Sequence, residues 1–270
     1  MQFVVVSTPS RSMVRAIRMD ESVPVQIEVA RAQHALFCAA LSKLGFGLIV
    51  MPADEQYPDG VFTEDPVVIL EGSSNARPTL VRARMARQER AGEVDRLVNL
   101  LVPRYFKSSI AIEPPGYLEG GDVVLAPQIG RIYIGLSRRT NELGAGQLAR
   151  IAHDRYGYRT EMFKIPESYL HLKGEVTFHF SKSGAYFTAS EEIAEQFSKS
   201  QIRVIETPAS ERFAANCISR DDSILVRAGA VKTATILTRE GYQVSSVDIS
   251  QFMIIDGAMT CLWKRLPDTR

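Results

Sequence analysis

Residues 109–124 read SIAIEPPGYLEGGDVV. A short apolar run meets two prolines, a small polar segment follows, and a second apolar run begins. Proline has no N–H to give a central strand, so the first run ends there. Glycines turn the chain and the valines restart a strand. The same order recurs at intervals of about 45–55 residues, the range in which a repeat defines a fold. FGLIVMP (46–52), TEMFKIP (160–166), QIRVIETP (201–208) and YQVSSVDIS (242–250) are the equivalent strands. Turns are expected at Pro52, Pro114, Pro166 and Pro208. The matching polar segments are PDGVFTEDP (58–66), YLHLKGEV (169–176), RFAANCIS (212–219) and IDGAMTCL (255–262).

Outward from these segments, each unit begins with a helix. Segment 26–44 carries Ile27, Ala30, His34, Phe37, Leu41 and Leu44 at helical spacing and stops at Gly45. Val94, Leu97, Val98 and Leu101 mark a helix over 89–102. Leu148, Ile151 and Ala152 mark one over 141–156, ended by Gly157. Shorter helices are expected at 190–199 and 230–240. After each polar segment come further strands: VVIL (67–70) and TLVRARM (79–85), VVLAP and RIYIGLS (131–137), VTFHF and AYFTAS (185–190), then ILVRA (224–228). The chain ends after Cys261 before a partner strand is expected, and FVVVST (3–8) is an orphan strand of the right kind. The first strand is therefore expected to complete the last unit and close a ring of five. In such a ring Glu64, Asp65, Glu119, His171, Asn216 and Cys261 converge on one cavity.

Composition limits the function. The 270 residues are 45% hydrophobic and 23% charged, which is globular material. A net charge of +1 leaves no electrostatic footprint for nucleic acid or an anionic membrane. No apolar run approaches the roughly 18 residues of a membrane helix, and the start lacks the pattern of a secretory signal. Three cysteines are too few for a disulfide scaffold. A cytoplasmic protein is expected.

Cys261 lies near a glycine turn and is the candidate nucleophile, with His171 as its acid and base. Cys38 and Cys217 sit in apolar surroundings and read as core. His34 lies on an apolar helical stripe; His153 and His179 read as surface or strand residues. A metal site from His34 and Cys38 lacks a second ligand pair. The acids Asp59, Glu64, Asp65, Glu119 and Asp122 would repel one another without a cation, either a metal or a cationic substrate. A planar guanidinium matches paired carboxylates through bidentate hydrogen bonds. Such a cation would also favour the Cys261 thiolate.

The strings PDGVFTEDP, LEGGDV, SRRTNELG (137–144), HLKGEV, AANCI (214–218) and DGAMTCL occur in an order that resembles the dimethylargininases, of the guanidino-modifying superfamily. The resemblance covers nearly the whole chain. It implies an α/β pentein fold, a five-bladed αβ propeller with pseudo-fivefold symmetry, as one catalytic domain over 1–270. It implies that Cys261 attacks the guanidinium carbon, that His171 protonates the leaving amine and then activates water, and that Glu119 binds guanidinium nitrogens and orients His171. Asp65, Glu64 and Asp59 would hold the guanidinium and neighbouring groups, with Phe62 as a wall. Arg139 would bind the substrate carboxylate with a second arginine, best matched by Arg90, with Arg84 and Arg87 as alternatives. Residues 71–78 read as an insertion, and 10–24 as a lid with no glycine to hinge on.

The implied activity is hydrolysis of an Nω-methylated arginine to L-citrulline and dimethylamine or methylamine, through a cysteine thiouronium. No cofactor and no metal are expected. The partner is a small guanidino substrate, and the protein acts as a monomer or homodimer. Within the superfamily the rivals are arginine or agmatine deiminase and amidinotransferase. Outside it they are a non-catalytic guanidino-compound binder and a metal-binding scaffold.

Overall fold

A computed structural model describes residues 1–72, 77–182, 184–199 and 201–267. The chain runs β1 (Phe3–Ser7), α1 (Ile27–Lys43), β2 (Gly47–Met51), β3 (Val67–Leu70), β4 (Thr79–Arg82), α2 (Ala91–Tyr105) and β5 (Ser109–Ala111). It continues through β6 (Val123–Ala126), β7 (Arg131–Leu136), α3 (Glu142–Tyr156), β8 (Arg159–Lys164), β9 (Val176–Ser181), β10 (Gly184–Ser190), α4 (Glu191–Ser198) and β11 (Arg203–Thr207). The last elements are β12 (Ile218–Arg220), β13 (Ser223–Arg227), α5 (Val231–Arg239), β14 (Gln243–Val247), α6 (Ser250–Met253) and β15 (Lys264–Arg265).

These strands form five three-stranded sheets among the described residues, all of one pattern. The first strand pairs antiparallel with the middle strand, and the middle strand pairs parallel with the third. A parallel neighbour cannot be reached by a hairpin, so a helix makes each crossover. α2 joins β4 to β5, α3 joins β7 to β8, α4 joins β10 to β11, α5 joins β13 to β14, and α1 joins β1 to β2. Each polar segment follows the third strand of one sheet and leads to or into the first strand of the next.

The chain divides into two compact units, Phe62–Lys173 and Met1–Val61 with Gly174–Arg270. The first holds β3-β4-β5 and β6-β7-β8. Val68, Leu70, Val81, Ile112, Leu118, Ile132, Ile134 and Leu148 form its buried core. Burying each such side chain contributes about 1.5–3 kcal/mol. Asn141 caps α3 by accepting the Gly144 N–H at 2.9 Å. The second unit holds the other three sheets. Tyr186, Ile205, Cys217, Ile224, Val226 and Leu237 pack together there.

The expected strands end before their prolines, and all five expected helices are present. Three boundaries differ. β4 stops at Arg82, beyond which Arg84 makes only an isolated bridge to Leu118. α2 runs through Pro103 to Tyr105, since a proline in the last turn leaves most of the ladder intact. β12 begins within RFAANCIS (212–219), which reads as a small polar or alanine-rich segment, and runs one residue past it. The last unit also corrects one expectation and meets another. A two-residue partner strand, β15, does form, and β1 takes the middle place between it and β2. The expected insertion at 71–78 lies partly outside the described residues, at 73–76. No helix among the described residues is long and apolar enough to cross a membrane.

Candidate active site

The sharpest cluster of titratable groups lies within Phe62–Lys173. It is built on the Glu119-Gly120-Gly121-Asp122 turn that leads into β6. The Gly120 N–H donates to the Asp65 backbone carbonyl at 2.9 Å, and the Gly121 N–H donates to Asp65 Oδ1 at 3.1 Å. A Cβ on Gly120 would lie 2.1 Å from the Glu64 carbonyl oxygen, and one on Gly121 would lie 2.7 Å from both Asp65 Oδ1 and the His171 ring. Both glycines are thus required by close approach, which presses Asp65, Glu119 and His171 together.

His171 Nε2 donates to Glu119 Oε2 at 3.0 Å, and Nδ1 lies 3.8 Å from Asp65 Oδ1. Asp122 is fully buried. It accepts the Leu172 N–H at 3.0 Å and the Ser137 hydroxyl at 2.6 Å, fixing the backbone next to His171. Arg90 donates through Nη1 to Asp65 at 3.0 Å and through Nη2 to Glu93 at 2.8 Å. Its Nη1 also lies 3.7 Å from Glu119. Arg139 Nη1 donates to Glu119 Oε1 at 3.3 Å. The Glu119 N–H donates to the Thr140 hydroxyl at 3.2 Å. Glu64 forms an ion pair with Lys173, and Phe62 is buried.

The electrostatics follow from burial and charge. Burial disfavours the His171 imidazolium, but the carboxylates of Asp65, Asp122 and Glu119 outweigh it and raise the pKa to about 9. His171 is therefore charged at neutral pH. Burial works to raise Asp65 too, yet His171, Arg90 and Arg139 hold it below the usual carboxylate range. Glu119 is also lowered, with burial opposed by its bond to His171 and that ring's charge, then by Arg90. Asp122 is pushed up to about 6, because burial exceeds what His171, Ser137, Thr140 and the Leu172 N–H return.

One expectation is corrected here. The acids are not left to a metal or a substrate for neutralisation, because Arg90, Arg139, His171 and Lys173 already face them. Asp65, Glu119 and His171 do offer ligand atoms within 4.8 Å of one another. That donor set does not fit a resident metal. Its imidazole is held protonated, and its carboxylates are committed to guanidinium groups.

Of the arginines read from the sequence, Arg90 is the buried member of this cluster. Arg84 donates to the Gly116 carbonyl at 3.1 Å and lies over the Tyr117 ring, and Arg87 is exposed. Glu93, Thr140, Ser137 and Lys173 went unassigned in the sequence. Only Glu93 carries a local signal, its i,i+3 spacing from Arg90.

Asp59 and Cys261 belong to the other unit. Asp59 is buried and accepts the Ile17 N–H at 3.2 Å. Cys261 is 8% exposed in a short 3-10 turn, Met259–Leu262. The turn is fixed by Asn216, whose Oδ1 accepts the Thr260 N–H at 2.8 Å and whose Nδ2 donates to the Thr260 hydroxyl at 2.7 Å. The remaining candidates read as core. Burial lowers His34 to about 4 and raises Cys38 to about 11. Cys217 is raised to about 12 by the same cause.

Five sheets of one β-β-α-β pattern, with a polar segment after each third strand, define the pentein class of α/β proteins. A solved dimethylarginine dimethylaminohydrolase from Pseudomonas aeruginosa, a cysteine-to-serine variant holding citrulline, superposes with a TM-score of 0.87 at 28% identity, covering 98% of this chain and 99% of that one. A histidine-to-glycine variant of a dimethylarginine dimethylaminohydrolase, solved as an adduct with S-methyl-L-thiocitrulline, gives a TM-score of 0.86 at 28% identity, covering 98% of this chain and 100% of that one. The N-terminal domain of a cyanobacterial arginine dihydrolase shares the fold at 18% identity, with a TM-score of 0.83 and 98% of each chain covered. In sequence, the P. aeruginosa dimethylarginine dimethylaminohydrolase is 30% identical over 96% of this chain and 97% of its own length. The Streptomyces coelicolor enzyme of the same name is 30% identical over 92% and 93%. The family model described as N,N dimethylarginine dimethylhydrolase, eukaryotic, matches residues 7–210. The chain belongs to the dimethylarginine dimethylaminohydrolase family and is a hydrolase of that guanidino-modifying group.

Proposed function

We propose that this chain, as one catalytic domain over 1–270, hydrolyses Nω-methylated arginines to L-citrulline with release of dimethylamine or methylamine. The observation that carries the reading is the charged, buried His171 among Asp65, Glu119 and Asp122. An imidazolium there is a proton donor at neutral pH, which an amine leaving group requires. The citrulline complex and the S-methyl-L-thiocitrulline adduct of the relatives support the substrate class.

In this mechanism the Cys261 thiolate attacks the guanidinium carbon and forms a tetrahedral adduct. The carbon–amine bond breaks as His171 passes its proton to the departing nitrogen, leaving a thiouronium. Neutral His171 then takes a proton from water and the hydroxide adds to the same carbon; the carbon–sulfur bond breaks to return the thiolate as the new hydroxyl gives up its proton to the released amine, leaving neutral citrulline and an alkylammonium ion. Because the electrophile is a cation, no oxyanion hole is needed; Asp65, Glu119, Glu64 and Asp59 hold positive charge and fix geometry. Phe62 walls the guanidinium, and Arg90 and Arg139 serve the substrate carboxylate. We place the protein in the cytoplasm, where three cysteines outside any disulfide stay reduced.

The test is to incubate the protein separately with monomethylarginine, asymmetric dimethylarginine, arginine and agmatine, and to measure the amine released. Methylamine or dimethylamine is expected from the first two. Faster ammonia release from arginine or agmatine makes the protein a deiminase instead. A Cys261→Ser variant that turns over like the parent removes the nucleophile assignment.

A further inference from the structure

Asp122 is fully buried and holds three segments of the candidate site at once. Its Oδ1 accepts the Leu172 N–H at 3.0 Å, on the backbone next to His171. Its Oδ2 accepts the Ser137 hydroxyl at 2.6 Å, and the same serine oxygen accepts the N–H groups of Arg139 at 2.9 Å and Thr140 at 3.2 Å. The Thr140 hydroxyl hydrogen-bonds Asp122 as well, and accepts the Glu119 N–H at 3.2 Å. The Asp122 N–H itself donates to the Glu119 carbonyl at 3.1 Å. One carboxylate thus ties together the backbones that carry His171, Arg139 and Glu119. A Cβ on Gly135 of β7 would lie 2.8 Å from Leu172 Cβ and 3.3 Å from Asp122 Oδ1, so that strand passes close against the tie.

A tie alone does not call for a charge. A neutral asparagine would accept the same N–H and hydroxyl protons, while burying a carboxylate costs free energy unless a cation answers it. Among the described residues no arginine or lysine lies within ion-pair distance of Asp122, whereas Asp65 has Arg90 and Glu119 has both Arg90 and Arg139. The cation that Asp122 answers is His171. Burial opposes the charge on that ring, and Asp65, Asp122 and Glu119 favour it. Arg90 and Arg139 stand behind Asp65 and Glu119, and Lys173 is paired with Glu64. Burial pushes Asp122 up to about 6, so it is ionised from neutral pH upward, where the ring must keep its proton.

We propose that Asp122 is a positioning residue of the reaction, which holds His171 on Glu119 and lends its charge to the ring that must donate a proton. The inference rests on the proposed reaction for the use of that proton, while the state of the ring is read without turnover. The ring is followed by NMR of isotope-labelled histidine, its signal being the one missing from His171→Gln. The parent ring is expected to titrate near about 9. In Asp122→Asn it is expected to titrate about one pH unit or more lower, with kcat down about 10–100-fold, the alkaline limb of kcat shifted the same way and KM within about threefold. Ser137→Ala keeps the charge and removes one tie. It is expected to lower kcat about 3–10-fold and to leave the ring titration within about half a pH unit of the parent. An Asp122→Asn ring that titrates with the parent's overturns the proposal, and so does a kcat per folded molecule within about twofold of the parent's. If Asp122→Asn does not fold, Ser137→Ala decides, and an unchanged kcat there overturns the proposal. A parent that releases no amine counts against the reaction, and the ring titration then judges Asp122 by itself.

Discussion

His171 and His179 are both buried imidazoles, yet they stand at opposite ends of the pKa range. His171 meets three carboxylates and is raised to about 9. His179, on β9, meets hydroxyls and is lowered by burial to about 3. Its Nε2 lies 2.9 Å from Thr188 Oγ1 and its Nδ1 lies 2.7 Å from Ser219 Oγ. Thr188 gives its one proton to the Ala215 carbonyl, so it accepts from Nε2–H, and Nδ1 accepts from Ser219. His179 is thus a neutral strut stacked on Tyr186 at 4.8 Å between ring centroids. Burial alone discharges a histidine; carboxylates at hydrogen-bonding distance reverse the sign. Only the recharged imidazole has a proton to give at neutral pH.

The largest effect expected from breaking this contrast is on turnover. His171→Gln keeps a polar planar group but loses the transferable proton, and kcat is expected to fall at least about 10³-fold. Steady-state amine release checks this, and a fall of less than about tenfold removes His171 from the proton path. The next effect is on stability. His171 binds its proton more tightly folded than unfolded, so its contribution is complete below the ordinary imidazole value of 6.5 and is lost as pH rises through about 9. Over that window the parent is expected to lose on the order of 3 kcal/mol relative to His171→Gln, read from urea midpoints at pH 6 and pH 9.5. Parallel pH profiles for the two proteins would show that the ring is not charged in the fold. The smallest effect is at the other histidine. His179→Gln is expected to cost about 1–3 kcal/mol of stability by unsettling Ser219 and Thr188, while kcat of the folded fraction stays within about twofold. A large kcat loss with unchanged KM and an intact fold would break the contrast.

Much of the fold is legible in the sequence because each unit repeats the same local instructions. Helical apolar spacing such as Ala30, Phe37 and Leu41 and the strand-ending prolines needed no tertiary information. β12 and β15 were not legible: each is too short to carry a period and lacks a closing proline, and they exist because β13 and β1 offer them a ladder. The acids of the candidate site were visible from their glycine-rich surroundings. Of their cations, His171 was legible from the repeat, Arg139 and Arg90 came only through the resemblance, and Lys173 was not read; nothing local to the residues separates Arg90 from Arg84 or Arg87 until the fold buries one of them. Asn216 stood out by its place in the repeat, but its grip on Thr260 spans distant sequence.

The pairing of Val4 with Arg265 imposes an order of assembly. β1 is made before β15 and can lay down its ladder with β2 once α1 and β2 have formed. Its other edge must then wait until Lys264 and Arg265 emerge, and an open strand edge is a template for wrong pairing. A reordered chain in which β15 directly preceded β1 would remove the wait.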